Sequence, residues 1–180
     1  MTPLVWLSLM FYVWSCRSRT GADPGKHQDS NETALAARIP VFNADTAYQF
    51  IATQVAFGPR VPGTEAQLKC AERMQEQLKR NCDTVYRQEA TVTGGDQKKL
   101  RCINLIGVIH PLASKRTLLL AHWDSRPWAD QEDRNSTTAI DGADDGASGV
   151  AVLLELSRVL KQNPLPADQG IDILFTDVED

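Results

Sequence analysis

The chain has 180 residues, of which 42% are hydrophobic and 23% charged, which suits one folded domain with an ordinary globular composition. Its net charge of -4, with basic residues clustered only at Arg17 to Arg19 and Lys98 to Arg101, argues against a nucleic-acid-binding face. We therefore expect no nucleic-acid partner.

The first segment, residues 1–15, carries no charge and is largely apolar. It is shorter than the roughly 18 residues that a transmembrane helix needs, and it is typical of a signal-peptide core. Cys16 follows in a loose version of a bacterial lipoprotein cleavage box. Residues 1–16 are therefore interpreted as a signal peptide, with Cys16 as a candidate lipidation site and membrane tether. Export to the periplasm or its membrane surface would follow; the alternative is a buried or disordered N-terminus from a misplaced start codon.

Residues 17–38 are polar and aperiodic, which predicts a flexible tether before a folded domain over residues 39–180. Asn43 is placed to cap a first helix that reaches Val55, and Thr64 to cap a second that ends near Lys79. The apolar residues of the second helix recur at helical spacing and are predicted to be its buried stripe: Leu68, Ala71, Met74 and Leu78.

Strands and one further helix follow. The predicted strands are Thr84–Val92, Leu100–Ile109, Arg116–Ala121 and Ile171–Thr176, and the predicted helix is Ala147–Lys161. Gly94 and Gly95 predict a hairpin turn between the first two strands, and the continuous apolar run of the third predicts a strand buried on both faces. The strand–helix–strand order predicts an α/β fold of three αβα layers, in which helices cover both faces of a mostly parallel or mixed sheet.

The cysteines within the predicted domain, Cys70, Cys82 and Cys102, match no zinc-binding spacing. We expect them to be small buried apolar residues. The alternative for an exported protein is one disulfide, with Cys82 as its favoured participant.

Three polar clusters lie where a sheet of this kind binds ligands, beyond the carboxyl ends of its strands. One is His122 to Ser125, after the third strand; another is Asp177 to Asp180, after the fourth. Between them, Gly142 to Gly149 leads into the last helix. Carboxylates and an imidazole suit a divalent metal ion, and a carboxylate beside the metal can serve as general acid and base. Each motif alone is weak, but their order and placement are specific.

These motifs resemble those of the zinc aminopeptidase and glutaminyl cyclase clan, over roughly residues 40–180. The similar motifs are His122-x-Asp124-Ser125, Gly142-Ala143-x-Asp145-x-Ala147-Ser148-Gly149, Glu179-Asp180, the loop Phe57-Gly58-Pro59-Arg60-x-Pro62-Gly63 and the strand Asn104-Leu105-Ile106-Gly107. Within the clan, the stretch from His122 to Pro127 looks most like bacterial glutaminyl-peptide cyclotransferases. Broad aminopeptidases of the clan usually carry Glu-Glu where this chain has Glu179-Asp180.

The resemblance implies a zinc aminopeptidase-like fold and a role for each matched residue. Asp145 and Asp180 would bind zinc, and Glu179 would be the catalytic acid and base. His122 would bind a second zinc in a two-metal aminopeptidase, or lie beside the single zinc of a cyclase, and Asp124 would orient the group from behind. Two tryptophans could line the substrate pocket or pack a loop: Trp123 and Trp128.

The implied reaction is cyclisation of the N-terminal glutamine of a peptide to pyroglutamate, with release of ammonia and one zinc ion. An aminopeptidase with two zinc ions is the alternative, and an inactive truncated lipoprotein that binds no metal is a second. The clan takes its last ligand, a histidine, from a later segment, and neither His27 nor His110 matches that position. We therefore expect an N-terminal fragment of a longer gene product, with an incomplete catalytic domain that is inactive alone. The natural substrates and the oligomeric state stay open.

Overall fold

The computed structural model describes residues 39–129 and 137–180, and residues from Pro40 onward form one compact unit. The tether and the signal peptide with Cys16 lie outside the described residues, so their assignment stays a prediction. Among the described helices, none is long and apolar enough to cross a membrane.

Three helices and four strands lie in the described residues of this unit. In chain order they are α1 (Ala44–Val55), α2 (Glu65–Asn81), β1 (Thr84–Thr93), β2 (Lys99–Ile109), β3 (Lys115–His122), α3 (Ala147–Gln162) and β4 (Gln169–Thr176). The two predicted caps are confirmed: the side chains of Asn43 and Thr64 accept the backbone N–H groups of Thr46 and Gln67. These bonds satisfy donors that the first turn of a helix leaves free.

The sheet is mixed and has the strand order β1-β2-β4-β3. β1 and β2 are antiparallel because the tight turn at Gly94 and Gly95 joins them, and β4 is antiparallel to β2. β3 and β4 run parallel, since α3 connects them. The α/β class and the mixed sheet are confirmed, while the parallel character is confined to the β3–α3–β4 unit.

One core holds the helices against the sheet. It joins Met74 and Leu78 of α2, Leu154 of α3 and the alternate residues Ile103 and Leu105 of β2, all of which are buried. α2 and α3 therefore share one face of the sheet. The predicted cysteine packing is also confirmed, because the cysteines in the described part of the chain are buried and free: Cys70, Cys82 and Cys102.

The opposite face of the sheet is open among the described residues. β3 is an edge strand there, and Leu118 and Leu120 are 57% and 61% exposed. The prediction that this strand is buried on both faces is therefore wrong for the described chain. An apolar run shows that a strand can be buried on both sides, but it does not supply the elements that cover it.

Candidate functional site

The two parallel strands bring the predicted polar clusters together. His122 ends β3 and is paired with Thr176 at the end of β4, so the residues that follow the two strands start side by side. α3 begins next to them at Ala147. The predicted convergence at the carboxyl edge of the sheet is what the described residues show.

An acid–imidazole cluster, which we define as His122, Asp145, Glu179 and Asp180, occupies this edge. Nε2 of His122 lies 2.9 Å from Oδ1 of Asp145, and its Nδ1 lies 3.7 Å from Oε2 of Glu179. His122, Glu179 and Asp180 each offer one atom that could bind a metal ion, and these three atoms lie within 4.8 Å of one another. Asp145 joins this group through the imidazole.

Glycine brings the backbone close to the imidazole. Gly146 precedes α3 with a φ of 95°, and a Cβ there would lie 2.7 Å from the carbonyl oxygen of Asp124 and 3.3 Å from the His122 ring. Such contacts and such a φ admit only glycine without strain. Gly146 thus places the start of α3, with Asp145 beside it, against His122.

Asp124 supports the cluster from the protein interior. Its side chain is fully buried, and Oδ2 accepts the backbone N–H groups of Glu179 and Asp180 at 3.0 and 3.1 Å. Burial raises the pKa of this carboxyl, while the bond from Asp180, the nearby His122 and the bond from Glu179 act to lower it. Asp124 therefore orients the chain segment that carries both acidic residues.

The described residues fit a divalent cation. His122 Nδ1 and Asp124 Oδ1 are buried, have no hydrogen-bond partner and lie 3.6 Å apart. If Nε2 carries the imidazole proton toward Asp145, these two atoms face each other with lone pairs and no donor. A buried pair of this kind, beside exposed carboxylates at Asp145 and Glu179, suits a positive ion with oxygen and nitrogen ligands. Asp145, Asp180 and His122 are the residues that would hold zinc.

Arg126 contributes to the site, and the sequence did not identify it. Its Nε donates to Oδ1 of Asp180 at 2.9 Å, and the Asp180 side chain is only 5% exposed. The position directly after the His122–Ser125 motif was the one available signal. The predicted ligand Asp180 therefore already has a cationic partner.

Asp177 belongs to the predicted polar cluster after β4, and the sequence did not assign it a role of its own. It is buried behind the cluster, and its Oδ2 accepts Gln67 Nε2 at 2.6 Å and the N–H of Ile103 at 2.7 Å. Burial raises its pKa to about 7 in spite of these donors, and the negative charge of Asp124 adds to the shift. It joins α2, β2 and the end of β4.

A groove of about 750 Å³ opens beside Glu179 and Asp180. Trp128 lies on its wall and is 47% exposed, and its role in substrate binding stays a prediction. Trp123 follows the packing alternative instead of lining the groove, because it is fully buried in the core and donates its indole N–H to the Ile103 carbonyl. Trp123 follows β3 on the side that faces the helices, so it packs instead of meeting substrate.

Known proteins resemble this chain in sequence and in fold. Residues 104–180 match the model of peptidase family M28. Tannerella forsythia glutaminyl cyclase is 51% identical, with a TM-score of 0.74 over 78% of this chain and 48% of that one. A Zn-dependent exopeptidase from Parabacteroides distasonis is 51% identical, with a TM-score of 0.75 over 79% of this chain and 49% of that one. Bacteroides thetaiotaomicron glutaminyl cyclase, bound to N-acetylhistamine, is 43% identical, with a TM-score of 0.75 over 79% of this chain and 49% of that one.

The expected resemblance to bacterial glutaminyl cyclases with the zinc aminopeptidase-like fold is confirmed by these similarities. The chain spans about half the length of the solved structures it matches. Cyclases and an exopeptidase share the fold at the same level of similarity, so fold alone does not separate the two reactions.

Proposed function

We propose that this chain supplies the metal-binding and acid–base residues of a zinc-dependent glutaminyl-peptide cyclotransferase. The observation that carries the proposal is the acid–imidazole cluster at the ends of β3 and β4, with buried Asp124 behind it. Similarity to glutaminyl cyclases at 43–51% identity supports the reaction type. The substrates would be peptides or proteins with N-terminal glutamine.

Asp145 and Asp180 are the proposed ligands of one zinc ion, and His122 is the proposed ligand of a second if two are bound. Bound zinc would polarise the γ-amide carbonyl of the substrate as a Lewis acid. Asp124 supports the site through its second oxygen: Oδ2 accepts the N–H groups of Glu179 and Asp180 and so holds both residues toward the groove.

Glu179 is the proposed proton carrier. Its side chain is 62% exposed and lines the groove, so a substrate can reach it. The α-amine nitrogen of the substrate bonds to the γ-amide carbon, and the bond from that carbon to the amide nitrogen breaks. Glu179 takes the proton that the amine loses and gives it to the departing nitrogen, which leaves as ammonia.

An aminopeptidase is the second candidate. The contact between His122 Nε2 and Asp145 favours it, because a carboxylate and an imidazole this close could share two metal ions. Glu179 would then remove a proton from water that attacks the first peptide bond. Two zinc ions per chain would favour this reaction, and one would favour the cyclase. A chain that binds no metal would instead agree with the inactive lipoprotein.

The decisive experiment tests whether the site residues of this chain catalyse cyclisation of N-terminal glutamine or hydrolysis of the first peptide bond. The chain itself is assayed beside a chimera in which its residues 40–180 replace the matching part of Tannerella forsythia glutaminyl cyclase. We expect the zinc-loaded chimera to cyclise glutaminyl-naphthylamide and release ammonia, and to leave leucyl and alanyl amides intact. Cleavage of the leucyl and alanyl amides instead would contradict the proposal.

Changing Glu179 to Gln should abolish most of the turnover. The amide cannot accept the amine proton, so kcat of the chimera should fall by on the order of 10²- to 10⁴-fold with its zinc content unchanged. Glu65→Gln is the matched control, because Glu65 is exposed on α2 and paired with Lys69. Loss of zinc from E179Q would assign Glu179 as a ligand instead.

Export is proposed on the sequence alone, from residues 1–16. A periplasmic or membrane-anchored location would bring the site to peptides outside the cytoplasm. Metabolic labelling of the expressed chain with a radioactive fatty acid tests the anchor at Cys16, and Cys16→Ser should remove the label.

A further inference from the structure

Arg60 is buried beside the site in the loop between α1 and α2. Its side chain has no exposed surface. Its Nε donates to the carbonyl oxygen of Trp123 at 3.0 Å, and its two terminal nitrogens donate to the carbonyls of Asp141 and Gly142 at 2.5 and 2.6 Å. Its backbone N–H donates to Oγ of Ser125 at 2.9 Å.

These acceptors belong to the two segments that carry His122 and Asp145. Trp123 lies directly after His122, and Asp141 and Gly142 begin the turn that leads to Asp145. The Gly142 carbonyl also accepts the N–H of Ala147, the first residue of α3, at 3.2 Å. One guanidinium therefore joins the end of β3 to the turn before α3.

The space around Gly142 shows how closely this turn is fitted to the guanidinium. Gly142 has a φ of 60°, and a Cβ there would lie 2.6 Å from Nη2 of Arg60, 2.7 Å from the carbonyl oxygen of Asp145 and 2.8 Å from Cβ of Ser125. Any larger residue would push the turn away from Arg60. The close contact between this turn and the Arg60 guanidinium therefore requires glycine at position 142.

Burying this cation is costly in itself. Burial lowers the pKa of Arg60, against the opposing effects of Cys70, Asp124 and Asp141. A buried charge is tolerated when it is hydrogen-bonded, and charge-assisted bonds to carbonyls are the stronger kind. A flat fork of donors can bind three carbonyls at once, whereas a lysine ammonium is a single point charge.

We propose that Arg60 is a positioning residue of the metal site. It holds the 141–146 turn against residues 123–125, and this sets Asp145 2.9 Å from His122. The proposal rests on the proposed function, because it assigns Arg60 to the zinc site described there.

The test compares Arg60→Lys and Arg60→Met with a matched control, Arg116→Met, in the full chain. Arg116 also donates to a backbone carbonyl, that of His110, but at the opposite end of β3. Zinc affinity is measured by competition with a chromophoric chelator, and amide hydrogen exchange is measured over residues 138–150. We expect both Arg60 variants to bind zinc about 10- to 100-fold more weakly, with faster exchange at residues 145–147. R116M should match the parent in both measurements.

Arg60→Lys keeps the charge and guards against a Met variant that does not fold, and thermal unfolding confirms that each variant is folded. A folded R60K that binds zinc within twofold of the parent would overturn the proposal, whatever its exchange pattern. If the parent chain binds no zinc, the proposed function fails for this chain, and exchange alone decides: unchanged exchange at residues 145–147 in R60K would overturn the role of Arg60.

Discussion

At the scale of single residues, Asp177 links the charge of the site to the stability of the fold. Its folded pKa is about 7, and the ordinary value for aspartate is about 3.9. Between these values the folded state binds more protons than the unfolded state, so the free energy of unfolding should fall as pH rises from about 4 to about 7. The stabilising form of Asp177 is the protonated one.

Asp177→Asn should remove this pH dependence. Its amide oxygen can still accept Gln67 and Ile103, but its NH₂ group would face the Val178 N–H that Oδ1 accepts in the parent. We expect a loss of about 1–3 kcal/mol near pH 5, where the parent carboxyl is protonated, and a smaller loss near pH 8. Urea unfolding at both pH values measures it.

The control for this prediction is Asp96→Asn, because Asp96 lies in the exposed β1–β2 turn and the hydrogen bond from the Lys98 side chain lowers its pKa. It should leave the slope between pH 5 and pH 8 as in the parent. If D177N has the parent's slope, Asp177 is ionised throughout this range.

The residues that could be grouped from the sequence and those that could not differ in how their contacts arise. His122, Asp145, Glu179 and Asp180 could be grouped because strand ends of one sheet edge must meet. The contacts of Arg60 could not be predicted, because its side chain donates to three backbone carbonyls far along the chain. Every residue has a backbone carbonyl, so the sequence does not indicate which ones a side chain binds.

At the scale of elements, the close approach of α2 to β2 depends on Gly107. A Cβ at Gly107 would lie 2.7 Å from Sγ of Cys82, the C-cap residue that follows α2, and 3.0 Å from Cδ2 of Leu78. Real Cβ atoms do not come this near to a sulfur, so the helix rests directly on the strand backbone. The free thiol of Cys82 is part of this contact and not of a disulfide.

Gly107→Ala should therefore force α2 away from the sheet and lower the free energy of unfolding by about 1–3 kcal/mol. Cys82→Ala in the same chain removes the sulfur and should recover part of the loss, which appears as a coupling energy in a double-mutant cycle. Gly95→Ala is the control, because a Cβ at Gly95 meets nothing within 4 Å. Additive effects of G107A and C82A would show that the sulfur does not limit the approach.

Element bounds could be predicted within about two residues because caps and apolar periods are local signals. Thr64 capped the second helix as predicted, and β1 and β2 began at or next to the predicted residues. Strand order could not be predicted in the same way. β4 inserts between β2 and β3, so it pairs with strands that are not both its neighbours along the chain.

At the scale of the whole molecule, the face of the sheet opposite the helices carries an apolar row. Cross-strand pairing aligns Tyr86 with Ile106, Ile106 with Leu174, and Leu174 with Leu120, so these four side chains share one side. Tyr86 is 56% exposed. In the described part of the chain, β3 is hydrogen-bonded to β4 along one edge and exposes Leu118 and Leu120 beside the other.

This face predicts that the isolated chain self-associates. Exposed leucines next to an edge strand are a template for contact with another copy, because both the apolar surface and the free backbone groups gain partners there. Light scattering across a hundredfold range of concentration should show a mass that rises with concentration. Replacing Leu118 and Leu120 together by Lys should shift this rise to at least about tenfold higher concentration, since like charges on the edge strand oppose pairing.

Val152→Lys is the control, because Val152 is 49% exposed but lies on α3, on the helical side of the sheet. A parent chain that stays monomeric throughout the range, or a V152K variant that changes association as much as the double variant, would show that the open face does not drive it.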